Sequence, residues 1–154
     1  MTDPIRLIIS GSSTVDPTDE AITNAVLDLV IGVFRIEDSD PDDVARARSD
    51  LGRFVAEVIC GKDGGGDAAG EHWARARGID VHPELVTEAD RTKHGPYLAP
   101  HARNRRMADR ASAAVIFWDG KSAGSSDLAA RMLARRRPVA VIPYRPREPR
   151  RRRR

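Results

Sequence analysis

Five short apolar runs alternate with polar or amphipathic stretches along this chain. The runs contain many β-branched residues and are apolar throughout rather than at every second position, which is typical of strands buried on both faces of a parallel sheet. Since helical patterns separate the runs, we predict an α/β fold with about five parallel strands in the order 3-2-1-4-5. The predicted strands are Ile5–Ile9, Phe54–Cys60, Ile79–His82, Ala113–Trp118 and Pro138–Ile142.

Helices are predicted between these strands. Apolar residues at three- and four-residue steps indicate a helix that ends near Phe34, with Asp16 as its N-cap and Pro17 in its first turn. The segment Thr87–Pro100 contains Gly95-Pro96 and is predicted to be irregular. The remaining predicted helices run from Pro41 or Asp42 to Arg53, Ala68 to Arg77, Ala102 to Ala111 and Leu128 to Arg136.

Glycine- and serine-rich loops follow the first, second and fourth strands, over residues 11–13, 61–67 and 120–126. In an open parallel sheet these loops meet at one edge, and ligands bind where the strand order reverses, between strands 1 and 4. A strand, a Gly/Ser loop and a helix start together present backbone N–H groups to an anion. The pattern therefore predicts a cleft that binds a phosphate or a nucleotide.

Charge is distributed unevenly along the chain. The net charge of +3 combines an acidic stretch, residues 1–130, with residues 131–154, which hold 11 arginines and one acid. We predict a folded domain over residues 1–143 and a disordered, Pro/Arg-rich basic tail over residues 144–154. The tail either makes weak contacts to nucleic acid or is simply solvated.

The composition argues against a membrane protein. No run approaches eighteen apolar residues, and Met-Thr-Asp-Pro at the start lacks the features of a signal peptide. A single cysteine, Cys60, excludes an internal disulfide and is typical of a reducing compartment, so a cytoplasmic location is expected. Cys60 itself is either a buried small side chain, which we favour, or a catalytic thiol.

Metal binding is not expected. The four histidines lack ligand spacing, and the acidic segment Glu37–Asp43 lacks the pattern of a calcium loop, so a solvated linker is favoured there. The histidines are His72, His82, His94 and His101.

Trp73 is interpreted as a core residue rather than a stacking surface, whereas for Trp118 both roles stay open.

Four motifs together resemble the SLOG superfamily, and the nearest subgroup is the YspA-like domains. They are Gly11-Ser12-Ser13, residues 61–67 with Ala69 and Trp73-Ala74, Arg103-Asn104 with Met107, and residues 119–125. The resemblance spans about residues 5–142 and implies a Rossmann-like three-layer sandwich that binds nucleotides or nucleotide-derived ligands. Relatives in the superfamily include cytokinin-activating phosphoribohydrolases and the DNA-processing protein DprA.

The motifs and the resemblance together imply a ligand site. Gly120 and Gly124 would allow a phosphate to approach, Lys121 would add a charge, and Arg103 would bind phosphate. For Asp67 the alternatives are a helix cap, which we favour, and a ribose contact. For Arg103 and Asn104 the alternative is a surface helix on which Arg103, Arg105, Arg106 and Arg110 are solvated or paired to local acids. The expected ligand-binding residues are Gly11, Ser12, Ser13, Gly61, Gly65, Asp67, Arg103, Asn104, Asp119, Gly120, Lys121, Ser122, Gly124 and Ser125.

The chain departs from its relatives in ways that favour binding over cleavage. Ser13 replaces the usual arginine of the first loop, and Lys62 and Asp63 replace small residues of the second. Leu128 stands where the phosphoribohydrolases carry a glutamate, and the adjacent Asp127 would point about 100° away around the helix. We therefore predict a ligand-binding protein, such as a sensor.

Three further features stay open. One alternative function is a nucleotide hydrolase. Its carboxylate would be Asp67, Asp119 or Asp127, and the sequence does not decide which of the three is catalytic. The other is a nucleic-acid-binding protein that uses the basic tail. The resemblance also leaves a homo-oligomer as an expectation.

Overall fold

A computed structural model of the chain describes residues 2–37, 39–62, 64–146 and 148. In this structure, five parallel strands form one sheet in the order β3-β2-β1-β4-β5, which confirms the predicted order. The central strands β1 and β4 are almost completely buried because helices cover both of their faces. The strands are β1 (Ile5–Gly11), β2 (Val55–Cys60), β3 (Asp80–Pro83), β4 (Ala113–Trp118) and β5 (Val139–Pro143).

The helices form two layers around this sheet. One core cluster joins the sheet to the first three helices, and a second joins it to the last two, so the fold is the predicted three-layer sandwich. The helices are α1 (Asp19–Phe34), α2 (Pro41–Ser49), α3 (Gly65–Ala76), α4 (Glu88–Arg110) and α5 (Ala123–Ala134), with a 3₁₀ turn at Leu51–Arg53.

Helix α1 begins two residues later than the Asp16 cap predicts. Its N-cap is Thr18, whose hydroxyl accepts a hydrogen bond from the Ala21 amide at 3.1 Å. Helices α3 and α5 begin earlier than predicted, at Gly65 and Ala123, because their glycines and serines belong to the first helical turn rather than to the loop.

The prediction of an irregular segment at Thr87–Pro100 is wrong. Thr87 and Asp90 form a capping box that starts α4, and the helix continues to Arg110 with one interruption at Gly95, where φ is 77°. Pro96 follows that interruption, at the start of a new helical run, where a missing N–H removes no helical hydrogen bond. The helix is therefore interrupted at the Gly-Pro pair and begins again after it, instead of ending there.

Two single residues confirm their predicted roles in the core. Trp73 is 1% exposed, and its indole N–H donates to the Thr23 hydroxyl at 2.9 Å. Cys60 is completely buried at the end of β2, and burial raises the pKa of its thiol to about 12. Cys60 therefore stays a neutral thiol, as expected of a buried small side chain.

Among the described residues, no helix is long and apolar enough to span a membrane, and no cluster of three potential metal-ligating side chains is found. The predicted tail, residues 144–154, falls largely outside the described part of the chain, since residues 147 and 149–154 are not described. The division into a domain and a tail therefore stays a prediction.

Candidate ligand-binding site

A cavity of about 290 Å³ lies at the carboxyl ends of β1 and β4, the position predicted from the strand order. Most of the predicted site residues line it, together with Ser10 and Pro100, which sequence analysis missed. Three larger depressions, two of about 630 Å³ beside α2 and along α4 and one of about 520 Å³ between α1 and α2, do not gather the strand-end loops. The cavity is lined by Ser10, Gly11, Ser12, Ser13, Asp67, Pro100, Arg103, Asn104, Ser122, Gly124 and Ser125.

Backbone packs directly on backbone where the end of β1 meets the start of α3. A Cβ atom added to Gly66 would lie 2.5 Å from Gly11 Cα, and one added to Gly65 would lie 2.5 Å from Ser12 O. Gly65 also has a φ of 52°, in the left-handed region. Gly65 does not line the cavity, so its visible role is to allow this close approach rather than to contact a ligand.

Asp67 joins α3 to β1 from beneath the cavity. It is 3% exposed, and its Oδ1 accepts from the Ser10 hydroxyl at 2.7 Å and from the Gly11 amide at 3.2 Å. The preferred prediction that Asp67 caps its helix is wrong, because the N-cap is Gly64 and Asp67 lies in the first turn. The carboxylate instead crosses to the neighbouring strand, an arrangement that only the tertiary contact creates.

Arg103 and Asn104 of α4 reach two different loops. Arg103 Nη1 donates to Gly61 O at 2.5 Å, and Asn104 Nδ2 donates to Gly124 O at 3.1 Å. Both residues are almost fully buried, at 4% and 3% exposed, so a solvated surface helix is wrong for this pair. The predicted pairing with acids is confirmed for two nearby arginines: Arg106 pairs with Glu84 and Asp90, and Arg110 pairs with Glu57.

Gly61 lies between two charged side chains behind the cavity. A Cβ atom added there would lie 2.8 Å from both Arg103 Nη1 and Asp67 Oδ2. A side chain at this position would therefore displace the guanidinium, the carboxylate or both. The absence of a side chain thus serves the packing of Arg103 and Asp67, and Gly61 is not part of the cavity lining.

Asp119 organises the loop between β4 and α5. Its carboxylate accepts from the Thr14 hydroxyl at 2.7 Å, from the Lys121 amide at 2.9 Å and from the Ser122 amide at 2.8 Å. These hydrogen bonds, that of Thr14 first, lower the pKa of Asp119 to about 2. Sequence analysis had missed Thr14, which lies on a loop remote in sequence from Asp119. Asp119 therefore shapes the site without lining the cavity.

Serine hydroxyls connect the first and last loops across the cavity. Ser12 Oγ lies 3.3 Å from Ser125 Oγ and also accepts from the Asp119 amide at 3.2 Å. Gly120 and Lys121 face solvent outside the cavity. Trp118 uses its indole N–H to hold the Ser122 carbonyl at 3.0 Å and does not line the cavity, so it serves as a loop support.

The position at which the resemblance predicts a hydrolase glutamate is apolar and buried here. Leu128 is 1% exposed within the core between α4, α5 and the sheet. The adjacent Asp127 accepts from Asn104 Nδ2 at 3.1 Å and from Arg131 Nε at 2.9 Å, and it lies 3.4 Å from His101 Nδ1. The carboxylate next in sequence to Leu128, that of Asp127, is therefore engaged by other groups of the protein.

Comparison with known proteins identifies a fold relative. No family model matches the chain, and no curated protein matches it. The X-ray structure of DNA processing protein A (DprA) from Streptococcus pneumoniae is similar, with a TM-score of 0.57 and 16% sequence identity. The match covers 91% of this chain and 50% of that chain, so this chain spans about half of its length.

This chain therefore has an α/β Rossmann-like fold similar to that of DprA. The likeness confirms the expected relation in fold to the DNA-processing protein. At this level of identity it concerns the fold alone, and the YspA-like assignment stays a prediction.

Proposed function

We propose that this chain binds a nucleotide or a nucleotide-derived small molecule whose phosphate group occupies the cavity. The main support is that the first turn of α5, several serine hydroxyls and the buried Arg103 line one cavity. The N-terminus of a helix attracts anions through its unpaired amides and its dipole. Arginine is well suited to phosphate because its planar fork of donors matches the oxygens.

The size of the cavity favours a small anionic group over a whole nucleotide. Its volume of about 290 Å³ is at the lower end of what ligand sites occupy. Nine of the predicted ligand contacts line this space: Gly11, Ser12, Ser13, Asp67, Arg103, Asn104, Ser122, Gly124 and Ser125. We assign Gly61, Gly65 and Asp119 to supporting roles, and Gly120 and Lys121 to the rim.

We further propose that the chain is a YspA-like member of the SLOG superfamily. Four motifs occur in the expected order, and the fold is similar to that of DprA. A single buried cysteine is consistent with a cytoplasmic protein. A sensor role and self-association belong to the same proposal.

Binding is favoured over hydrolysis by the state of the carboxylates. Asp67, Asp119 and Asp127 each accept hydrogen bonds from protein donors, and Leu128 provides no acid–base group. A general acid or base must reach the proton that it transfers, whereas each of these carboxylates is already engaged by donors of the protein. Hydrolysis remains the second candidate, and release of free base or phosphate that Asp127→Asn abolishes would establish it.

Nucleic acid is a third candidate ligand. The fold relative is named a DNA processing protein, and the end of this chain is rich in arginine. If the predicted tail, residues 144–154, is the only contact, then its deletion should abolish binding to single-stranded DNA. Binding that survives this deletion would place the nucleic-acid surface on the folded domain.

The proposal is tested by measuring binding of inorganic phosphate, ribose 5-phosphate and nucleoside mono-, di- and triphosphates by calorimetry and thermal shift. A ligand that binds the folded state raises the melting temperature. Ser125→Ala removes a hydroxyl that lines the cavity, whereas Ser126→Ala removes an exposed hydroxyl from the same helical turn. We expect Ser125→Ala alone to weaken binding several-fold. Failure of every phosphate compound to bind the folded wild-type chain would overturn the proposal.

A further inference from the structure

The cavity offers polar contacts but no surface on which an aromatic base could stack. Within the described part of the chain, its lining consists of serines, glycines, Asp67, Pro100, Arg103 and Asn104. Burying a flat ring normally requires an apolar or aromatic partner. A nucleotide held here by its phosphate must therefore place its base outside the cavity.

Six of the seven aromatic residues already have structural roles. Phe34 packs edge-on against Phe54, with ring centroids 5.0 Å apart, and Phe117 packs against Tyr144 at 5.6 Å. Trp73 lies in the core, and Trp118 supports the loop through Ser122. The seventh, Tyr97, is 90% exposed, the highest value among the large apolar side chains of the described residues.

The register of α4 places Tyr97 on the helix face that carries two of the residues lining the cavity. Residues 97, 100 and 104 recur at steps of three and four and so share one helix face, and Pro100 and Asn104 both line the cavity. At 1.5 Å per residue, Tyr97 lies about 4.5 Å beyond Pro100 along the helix axis. Helical side chains lean toward the N-terminus, so the ring extends from this face beyond Pro100 rather than into the space between Pro100 and Asn104.

The interruption at Gly95 determines where this helical run begins. Gly95 adopts a φ of 77°, which disfavours residues with a side chain, and Pro96 follows at the start of the run. Tyr97 therefore stands in the first turn of a helix whose later residues are buried against α5 and the sheet. The ring is exposed, but its backbone position is fixed by that packing.

We infer that Tyr97 is the residue on which the aromatic base of the bound ligand stacks. This inference rests on the proposed function, because it requires the phosphate to occupy the cavity. Tyr97 then selects for ligands that carry a base, whereas Arg103, Asn104 and the serines bind the phosphate and the sugar. Stacking of one base on one aromatic ring commonly changes affinity by about tenfold or more.

The test compares ligands with and without a base. Binding of ribose 5-phosphate and of the four common nucleoside monophosphates is measured by calorimetry on the wild-type chain and on Tyr97→Ala. We expect Tyr97→Ala to weaken binding of the preferred nucleoside monophosphate about tenfold and to leave the affinity for ribose 5-phosphate unchanged. Tyr97→Phe, which keeps the ring, should bind like the wild type. Leu98→Ala, which removes the neighbouring exposed side chain, should do the same.

The outcomes separate this inference from the proposed function. If ribose 5-phosphate and the nucleotides bind the wild type with equal affinity, or if Tyr97→Ala weakens both alike, the inference is overturned and the phosphate site stands. If neither kind of ligand binds the folded wild type, the proposed function fails and the inference fails with it. A loss in Tyr97→Phe equal to that in Tyr97→Ala would also contradict stacking.

Discussion

Two glycine-rich junctions meet at the cavity and use their glycines in opposite ways. At the β1–α3 junction, a side chain at Gly66 would collide with the backbone of Gly11. At the β4–α5 junction, a Cβ atom added to Gly124 would meet nothing within 4 Å. The first junction is closed by packing, and the second is open toward the cavity.

The aspartates of the two junctions, Asp67 and Asp119, also differ in whether they serve packing or a loop. Asp67 is buried behind the first junction and holds the end of β1, whereas Asp119 is half-buried in the second and shapes a loop around its own oxygens. Glycine and aspartate therefore serve the packing of the fold at one junction and the form of a ligand loop at the other. Similar residue composition does not imply a similar role.

The largest expected effect is at the closed junction. Gly66→Ala would place a methyl group 2.5 Å from Gly11 Cα, and backbone on both sides prevents relaxation. We expect a loss of about 3 kcal/mol in the free energy of unfolding. Urea denaturation, with Gly124→Ala as the matched control, measures the difference. Equal stability of the two variants would contradict the contrast between the junctions.

Asp67→Ala tests the carboxylate that holds the closed junction. The change leaves the Ser10 hydroxyl and the Gly11 amide without this acceptor in a buried place, so we expect a loss of about 2 kcal/mol. Asp67→Asn retains one acceptor oxygen and should cost less. If both variants unfold at the wild-type urea concentration, the bond between α3 and β1 contributes nothing to stability.

The ionised Asp119 carboxylate is expected to contribute less to the free energy of unfolding, and its contribution depends on pH. Its pKa is about 2 in the folded chain against about 3.9 in an unfolded one, so its contribution is fully present above pH 4. That contribution is lost as the pH falls toward 2. Because the group is half-exposed, we expect about 1 kcal/mol or less.

Asp119→Asn should therefore flatten the stability profile between about pH 4 and pH 2, as measured by denaturation at each pH. Thr14→Val removes the largest single cause of the lowered pKa and should move the profile partway in the same direction. An Asp119→Asn profile that parallels the wild type would show that other carboxylates dominate this range.

The smallest effect on stability is expected at the open junction. Gly124→Ala should leave the free energy of unfolding unchanged or raise it by up to about 1 kcal/mol, because alanine favours the helix and the space is free. The methyl group would enter the cavity, so binding of ribose 5-phosphate should weaken several-fold. A stable variant that binds this probe like the wild type would show that the ligand does not approach Gly124.

Local pattern was sufficient to predict the strands and their order. The runs around Ile8, Ile59 and Val115 are apolar on both faces, which only a strand covered by two helical layers satisfies. The prediction of an irregular segment at 87–100 failed because the Gly95-Pro96 pair was given more weight than the capping box of Thr87 and Asp90, although the helix continues past Gly95. Pattern also left the partners of Arg103 and Asn104 open, because these partners are distant in sequence.

The amino-acid sequence by itself determined the α/β class, the strand order and the edge of the sheet where the loops meet, because periodicity and connection rules act through neighbours along the chain. Only the tertiary structure decided which glycines have no room for a side chain and which have free space beside them, since that depends on the backbone of another element. It also decided that Asp67 crosses to Ser10 and that Arg103 and Asn104 reach Gly61 and Gly124, because the pairs lie 57, 42 and 20 residues apart.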